Sequence, residues 1–488
     1  MKKVILFSRN DLVNLYGGIG QHLIGAINIV HLAYSKEEEQ ILRERYNVVD
    51  IINFKGEISQ LIGQEQIDLD LIHQIDQLII DQTNNRFCLN SCIQSDRTFA
   101  NMDYNEILIL VQVYYKFWNN LIEKLRFDCL LHEPVALFFL QIASVICKKH
   151  GAEYLTQIQV FGETKYNWIF VSADSGFSIE MPKALAEIDS SDEDKHKRAE
   201  KFLDNFRKDF ELILPELASK DRNSGTANVF GFWLKIIKTI AKHIFNKREN
   251  KQEGSDPENA LERYLSRNKS RLSDRLKNLW DEQFYLRYDN FDPNKDYYYY
   301  PMHMEPEAVV LYWGDGIYKN QIKLIENIAA QLPPNSFLYV KVHPIVKEER
   351  HFIDYKRVRA IPNVKLLGSA VSGKLIISQC KGLLTINGTS GFEAVLLNKP
   401  VYVFGNSFYD LSNRVFKIKN IRDLREVLYQ NHNQVLKDDE SLYRFVLAYL
   451  QISHPGYTAY YSNYRELLKI GHNKNVEEVS IGIKEYFT

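Results

Sequence analysis

Gly382-Leu383-Leu384-Thr385-Ile386-Asn387-Gly388-Thr389-Ser390-Gly391-Phe392-Glu393-Ala394-Val395-Leu396-Leu397-Asn398-Lys399-Pro400-Val401-Tyr402-Val403-Phe404-Gly405 reads as strand, loop, helix and strand. The run through Ile386 has the continuous apolar character of a buried parallel strand, and Phe392 to Leu397 opens a helix. Pro400 introduces the next strand. Two glycines and two hydroxyls at the join let backbone N–H groups approach an anion, with the helix N-terminus adding partial positive charge. The same residues also read as a tight turn in which Thr389 or Ser390 merely caps the helix. Upstream, Phe337-Leu338-Tyr339-Val340 delivers Lys341-Val342-His343-Pro344 at a second strand end. In α/β sheets such carboxyl ends are where ligands bind.

The N-terminal part has the same rhythm. Val4-Ile5-Leu6-Phe7-Ser8 is an opening strand, and Arg9-Asn10-Asp11 leads to Gly17-Gly18-Ile19-Gly20. That spacing is not a dinucleotide fingerprint, and the glycines serve close packing or ligand access in a loop. Val48 to Ile52 reads as a strand and Asn105 to Leu125 as one long helix. Asp128 to Leu131 is a strand ending at His132-Glu133-Pro134, followed by a helix to Lys149 and a strand from Glu153. His132, Glu133 and Asp11 thus fall at strand ends, where an imidazole or carboxylate acts as base or nucleophile. Glu133 also reads as a helix cap beside Pro134.

From Pro182 to Pro293 the chain is charge-rich and helical. Within it Phe230 to Phe245 carries Lys235, Lys238 and Lys242 on one helical face and large apolar residues elsewhere. This is the pattern of a helix lying on an anionic membrane, and equally of an amphipathic helix packed on its own domain. Ala308 to Tyr312 reads as a strand opening the next domain. The expected divisions are 1–181, an N-terminal Rossmann-like domain; 182–295, a helical insertion; 296–440, a second Rossmann-like domain; and 441–488, bracing helices.

At 488 residues the chain has room for two or three cores. A net charge of −1 argues against a nucleic-acid partner, so attraction to an anionic surface must be local. Five scattered cysteines point to a reducing compartment without a disulfide framework. Met1-Lys2-Lys3 precedes too short an apolar run for a signal peptide, and no stretch spans a bilayer. A cytoplasmic location, with possible contact on the inner membrane face, is the expectation.

Pro301-Met302-His303-Met304-Glu305-Pro306-Glu307, Lys341-Val342-His343-Pro344, Thr385 to Ala394 and Lys399-Pro400-Val401, in that order, resemble the bacterial capsule polysaccharide biosynthesis family, related to the Kdo transferases. The resemblance covers Pro301 to Tyr409 and implies a GT-B glycosyltransferase, with two Rossmann-like domains facing across a cleft. It further implies that His343 and Pro344 line a nucleotide, that Asn387, Gly388, Thr389, Ser390 and Gly391 hold its phosphate, and that Lys341 neutralises charge there. Glu393 would bind ribose or base, or orient the loop. His303 and Glu307 would stand at the cleft entrance, with Asp315, between two glycines, exposed nearby. No acidic motif in the first domain matches the family, so the base or nucleophile lies between Glu133 and Asp11, with His132 beside them. The donor would be a CMP-activated acidic sugar such as Kdo, the acceptor a glycan or glycolipid, and no metal or other cofactor is expected. A UDP- or GDP-sugar or CDP-polyol transferase, a UDP-sugar 2-epimerase and a non-catalytic membrane assembly protein are the competing readings.

Overall fold

The computed structural model describes residues 1–99, 102–164, 166–188, 193–209, 288–304, 309–343, 352–368, 371–431, 436–458 and 471–488, with isolated positions between 233 and 280. Two sheets organise these residues. The first contains β1 (Lys3–Ser8), β2 (Asn28–Ala33), β3 (Ile51–Asn53), β4 (Cys129–Leu131), β5 (Glu153–Val160), β6 (Asn167–Ser172) and β13 (His454–Pro455), in the spatial order β13-β6-β5-β4-β1-β2-β3. Its five strands β1 to β5 are parallel, and β6 and β13 add antiparallel edges. The second contains β7 (Tyr297–Pro301), β8 (Phe337–Lys341), β9 (Val364–Leu367), β10 (Leu383–Thr385), β11 (Val401–Val403) and β12 (Val415–Lys417), all parallel, in the order β12-β11-β10-β7-β8-β9. Val4 to Phe7 and Tyr297 to Tyr300 are almost wholly buried, as strands covered on both faces must be. These are two Rossmann-like α/β units.

Strand order turns in opposite directions at one place in each sheet. In the first, β1-β2-β3 run one way from β1 and β4-β5 the other; in the second, β7-β8-β9 and β10-β11-β12 part between β7 and β10. Loops leaving the carboxyl ends of such neighbours separate to opposite faces, and a crevice opens between them.

The apolar core runs without a break between the sheets. Tyr449, on the helix Glu440–Gln451, packs with its ring tilted and centred 4.6 Å from that of Phe392 of the second unit, and donates its hydroxyl to the carbonyl of Phe161 beyond β5. The C-terminal helix His472–Phe487 returns to the first sheet, where Val476 packs over Gly18.

Three local expectations change. Gly17, Gly18 and Gly20 lie inside the helix Leu12–His22, not in a loop. A Cβ on them would collide with the Tyr46 ring, Val476 and the His31 imidazole respectively, so their role is close packing. Val309–Trp313 forms a π-helical turn where a strand was expected. It cannot pair beside β7, which is flanked by β8 and β10, and its Leu311, Tyr312 and Trp313 are buried in the core between the sheets. Finally, β2 was not anticipated: His31, buried within it, interrupts the apolar run that marks a strand.

Candidate active site at two strand crossovers

In the second sheet the crevice lies between β7 and β10. The chain leaves β7 through Met302 to His303, which is buried. Gln321 pins it: the side-chain carbonyl accepts from the His303 N–H at 2.8 Å and from the Tyr300 hydroxyl at 3.1 Å, and the side-chain amide donates to the His303 carbonyl at 3.2 Å. Thr385, ending β10, donates its hydroxyl to the Asn387 carbonyl at 3.1 Å. That hydroxyl therefore accepts from Nε2–H of His303, 3.0 Å away, which puts a proton on Nε2. The two strand ends are thus joined directly across the crevice.

The loop above them is shaped by its glycines. Gly388 has φ of 149°, and a Cβ there would lie 3.1 Å from the His303 ring. At Gly391 a Cβ would fall 2.2 Å from the Tyr409 hydroxyl, which donates to the Gly388 carbonyl at 2.8 Å. Asn387 donates its side-chain amide to the Asn406 carbonyl. Lys417 holds the neighbouring loop through the Gly405 carbonyl and Asp410, the latter at 2.9 Å. The helix Thr389–Leu396 begins immediately after Gly388, and no side chain caps it. Thr389 and Ser390 therefore do not serve as its cap, and its first turn presents N–H groups in the manner of an anion seat.

Glu393, in that helix, is partly buried. Burial pushes its carboxyl up to about 7, against the opposing pull of Lys374 and Lys341. Lys374 is itself buried, with its ammonium on the Phe206 carbonyl and, at 2.6 Å, on the Asp209 carbonyl. Lys341 ends β8, and His343 follows at an intermediate depth. Pro344 and Glu307 lie outside the described residues.

The first-sheet crevice lies between β1 and β4. His132 follows β4 and is fully buried, stacked on Phe7 at 4.3 Å. Its Nδ1 is 2.7 Å from the Phe7 carbonyl and so carries the proton, leaving Nε2 with its lone pair and no hydrogen-bond partner. Burial, helped by the Arg9 charge, holds the imidazole down to about 3. His132 is therefore neutral throughout the physiological range and a weak base. Glu133 beside it keeps 39% of its side chain open to solvent. Burial raises its carboxyl above the usual range while Arg9 and Arg97 pull it back, the direction expected of a general base working near neutrality. Asp11 precedes the helix Leu12–His22 without capping it through its side chain, and its charge adds to the upward pressure on Glu133.

A chain of hydrogen bonds connects the two crevices. The Ala173 carbonyl accepts both the Val135 N–H beyond β4, at 2.9 Å, and the indole N–H of Trp313, at 3.0 Å. The Trp313 carbonyl accepts the Asn406 N–H at 3.1 Å, and the Asn406 carbonyl accepts from Asn387. Glu133 and the Gly388 loop thereby stand on two walls tied through Trp313. Asp315 belongs to this tie and not to an exposed turn: it pairs with Arg86 of the first unit at 2.7 Å. Among the described residues no three His, Cys, Asp or Glu side chains come together as metal ligands. Gln321, Tyr409, Trp313 and Arg9 were not anticipated. Only Arg9 had a local signal, as the first charge after a buried strand.

The family described as Capsule polysaccharide biosynthesis protein matches residues 237–414. Protein FixF of Sinorhizobium fredii is 32% identical over 116 residues, 24% of this chain and 27% of that protein. Capsule polysaccharide modification protein LipB of Neisseria meningitidis serogroup A is 29% identical over 98 residues, 18% of this chain and 23% of that protein. The aligned segments thus span about a quarter of each relative's own length. Among solved structures, the beta Kdo 2,4 transferase of Thermosulfurimonas dismutans KpsC aligns with 68% of this chain and 82% of its own, at 14% identity and a TM-score of 0.37. The matched residues 237–414 include His303, Lys341 and the Gly388 loop.

Proposed function

We propose that the protein is a glycosyltransferase of bacterial surface polysaccharide synthesis, taking a sugar from a nucleotide donor to a glycan or glycolipid acceptor. The observation that carries this reading is the tie through Trp313, which links the strand crossover that carries Glu133 to the one that carries an uncapped glycine-rich helix start. The family match over residues 237–414 supports the same process, as does the capsule modification name of LipB. In this reading Thr389, Ser390 and the first-turn N–H groups hold the donor phosphate, with Lys341 and His343 beside it, and stabilise the departing nucleotide. Glu133 takes the proton of the acceptor hydroxyl. The neutral His132 lies too deep, and is too weakly basic, for that role. A single phosphate suits one such seat, which favours a CMP-activated acidic sugar such as Kdo, in keeping with the resemblance of the motifs; a UDP- or GDP-sugar or a CDP-polyol is the alternative.

The test is nucleotide release from CMP-Kdo by wild type, Glu133→Gln and Asp11→Asn. Loss of the base should lower the rate of Glu133→Gln by roughly a hundredfold or more while nucleotide binding is retained, with a smaller effect at Asp11. Equal rates in wild type and Glu133→Gln would remove Glu133 from the mechanism.

A further inference from the structure

We propose that Arg9, with Lys55 on the same Tyr34 ring, forms an anion-receiving subsite in the first unit, which takes a carboxylate or phosphate carried by the acceptor. The spatial order β4-β1-β2-β3 puts Glu133, Arg9, Tyr34 and Lys55 just past the carboxyl ends of four adjacent strands. They form a row along the crest of the sheet, beginning at the crossover crevice. The Arg9 guanidinium lies 4.9 Å from the Tyr34 ring centroid and the Lys55 ammonium 5.0 Å from it. Lys55 is buried, and only 19% of the Arg9 side chain is exposed.

Two cations on one ring, largely withdrawn from water, repel each other more strongly than they would at the surface. The ring face offsets part of that repulsion. The acid paired with Arg9 is Glu133, at 3.6 Å, beyond the reach of a good hydrogen bond. Arg9 Nε is buried with no hydrogen-bond partner, and so is the hydroxyl of Ser8, the preceding residue. Buried donors are seldom left unused. A guanidinium fork with a buried unused donor is suited to a planar carboxylate or a phosphate. Its position next to Glu133 would hold an acidic acceptor with a hydroxyl near the proposed base.

The meaning of the subsite rests on the transferase reading, but its existence is testable without turnover. D-glucuronate, inorganic phosphate and neutral D-glucose are titrated calorimetrically into the full chain at low ionic strength, for wild type, Arg9→Gln, Arg9→Lys and Lys55→Gln. Wild type should bind glucuronate or phosphate but not glucose. Arg9→Gln should weaken that binding roughly tenfold, the loss of one charge-assisted hydrogen bond, and Arg9→Lys less. The difference between wild type and Arg9→Gln isolates this subsite from the Gly388 loop. Preference for glucuronate would assign a sugar acid, and preference for phosphate a phosphorylated acceptor. Nucleotide-induced stabilisation unchanged in Arg9→Gln would show that the variant is folded. Equal anion binding by wild type and Arg9→Gln, or none by wild type, overturns the proposal. Arg9-dependent anion binding in a protein that no nucleotide stabilises would keep the subsite and reject the transferase reading.

Discussion

Glu393 is the residue whose protonation should be visible from outside. Its carboxyl rises from 4.5 to about 7 because burial penalises the charge more than Lys374 and Lys341 favour it. A carboxyl raised on folding stabilises the protein in its protonated form, and that contribution is complete below 4.5 and lost as pH rises through about 7. Gln mimics the protonated acid. The melting temperature of Glu393→Gln should therefore overtake that of wild type progressively between pH 4.5 and about 7, with the gap constant above. A gap independent of pH would mean that the carboxyl is not raised. The residue itself was readable in the sequence, because it follows a glycine-hydroxyl loop at a strand end. Its titration was not, since burial and two lysines distant in the chain set it. The same holds for His132: its position at the end of β4 is local information, but its neutrality comes from burial and the Arg9 charge, which outweigh the Phe7 carbonyl.

Among elements, the π-helical turn Val309–Trp313 carries the most consequence, because it ties one crossover to the other. Single-turn π geometry is found mostly at functional places. Trp313→Phe removes the indole donor to Ala173 and opens space over Gly176, where a Cβ would lie 2.6 Å from the Trp313 ring. Lost hydrogen bonding and packing should cost about 1–3 kcal/mol, seen as a lower urea midpoint at unchanged slope. An unchanged midpoint would show that the tie does not contribute to stability. Regular elements were legible where one face or the whole strand is apolar: the helix Tyr104–Leu125, the strands ending at Leu131 and Lys341, and the unit from Leu383 to Val403 all follow their apolar patterns. The turn at Val309–Trp313 was not, because its apolar residues match a buried strand and only their packing in the core between the two sheets sets them apart. Gly17 to Gly20 misled in the opposite sense, since glycines that signal a loop here admit the Tyr46 and His31 rings to a helix.

At the scale of the whole molecule, two parallel sheets could be read from the strand and helix rhythm. The closing contacts could not: β13 pairs His454 with Trp168 across most of the chain, and no local pattern announces such a pairing. Membrane contact also belongs to this scale. No helix among the described residues is long and apolar enough to cross a bilayer. In the stretch Phe230–Phe245 the described Trp233, Leu234 and Ile237 are 50%, 42% and 59% exposed and Lys238 is exposed, while Lys235 and Lys242 lie outside the described residues. If the stretch rests on an anionic surface, the protein should float with vesicles containing phosphatidylglycerol, and Trp233→Ala/Ile237→Ala should abolish flotation. Equal recovery of both proteins would locate the contact elsewhere. The central claim is that a nucleotide is held at the Gly388 loop, and its most direct test is thermal stabilisation by CMP, UDP, GDP and CDP of wild type and of Thr389→Val/Ser390→Ala. A nucleotide at roughly a hundredfold excess over its Kd stabilises by about 2.7 kcal/mol. The account predicts a shift with one nucleotide, strongest for CMP, that shrinks in the double variant; a shift of equal size in both proteins, or none in wild type with any of the four, would contradict it.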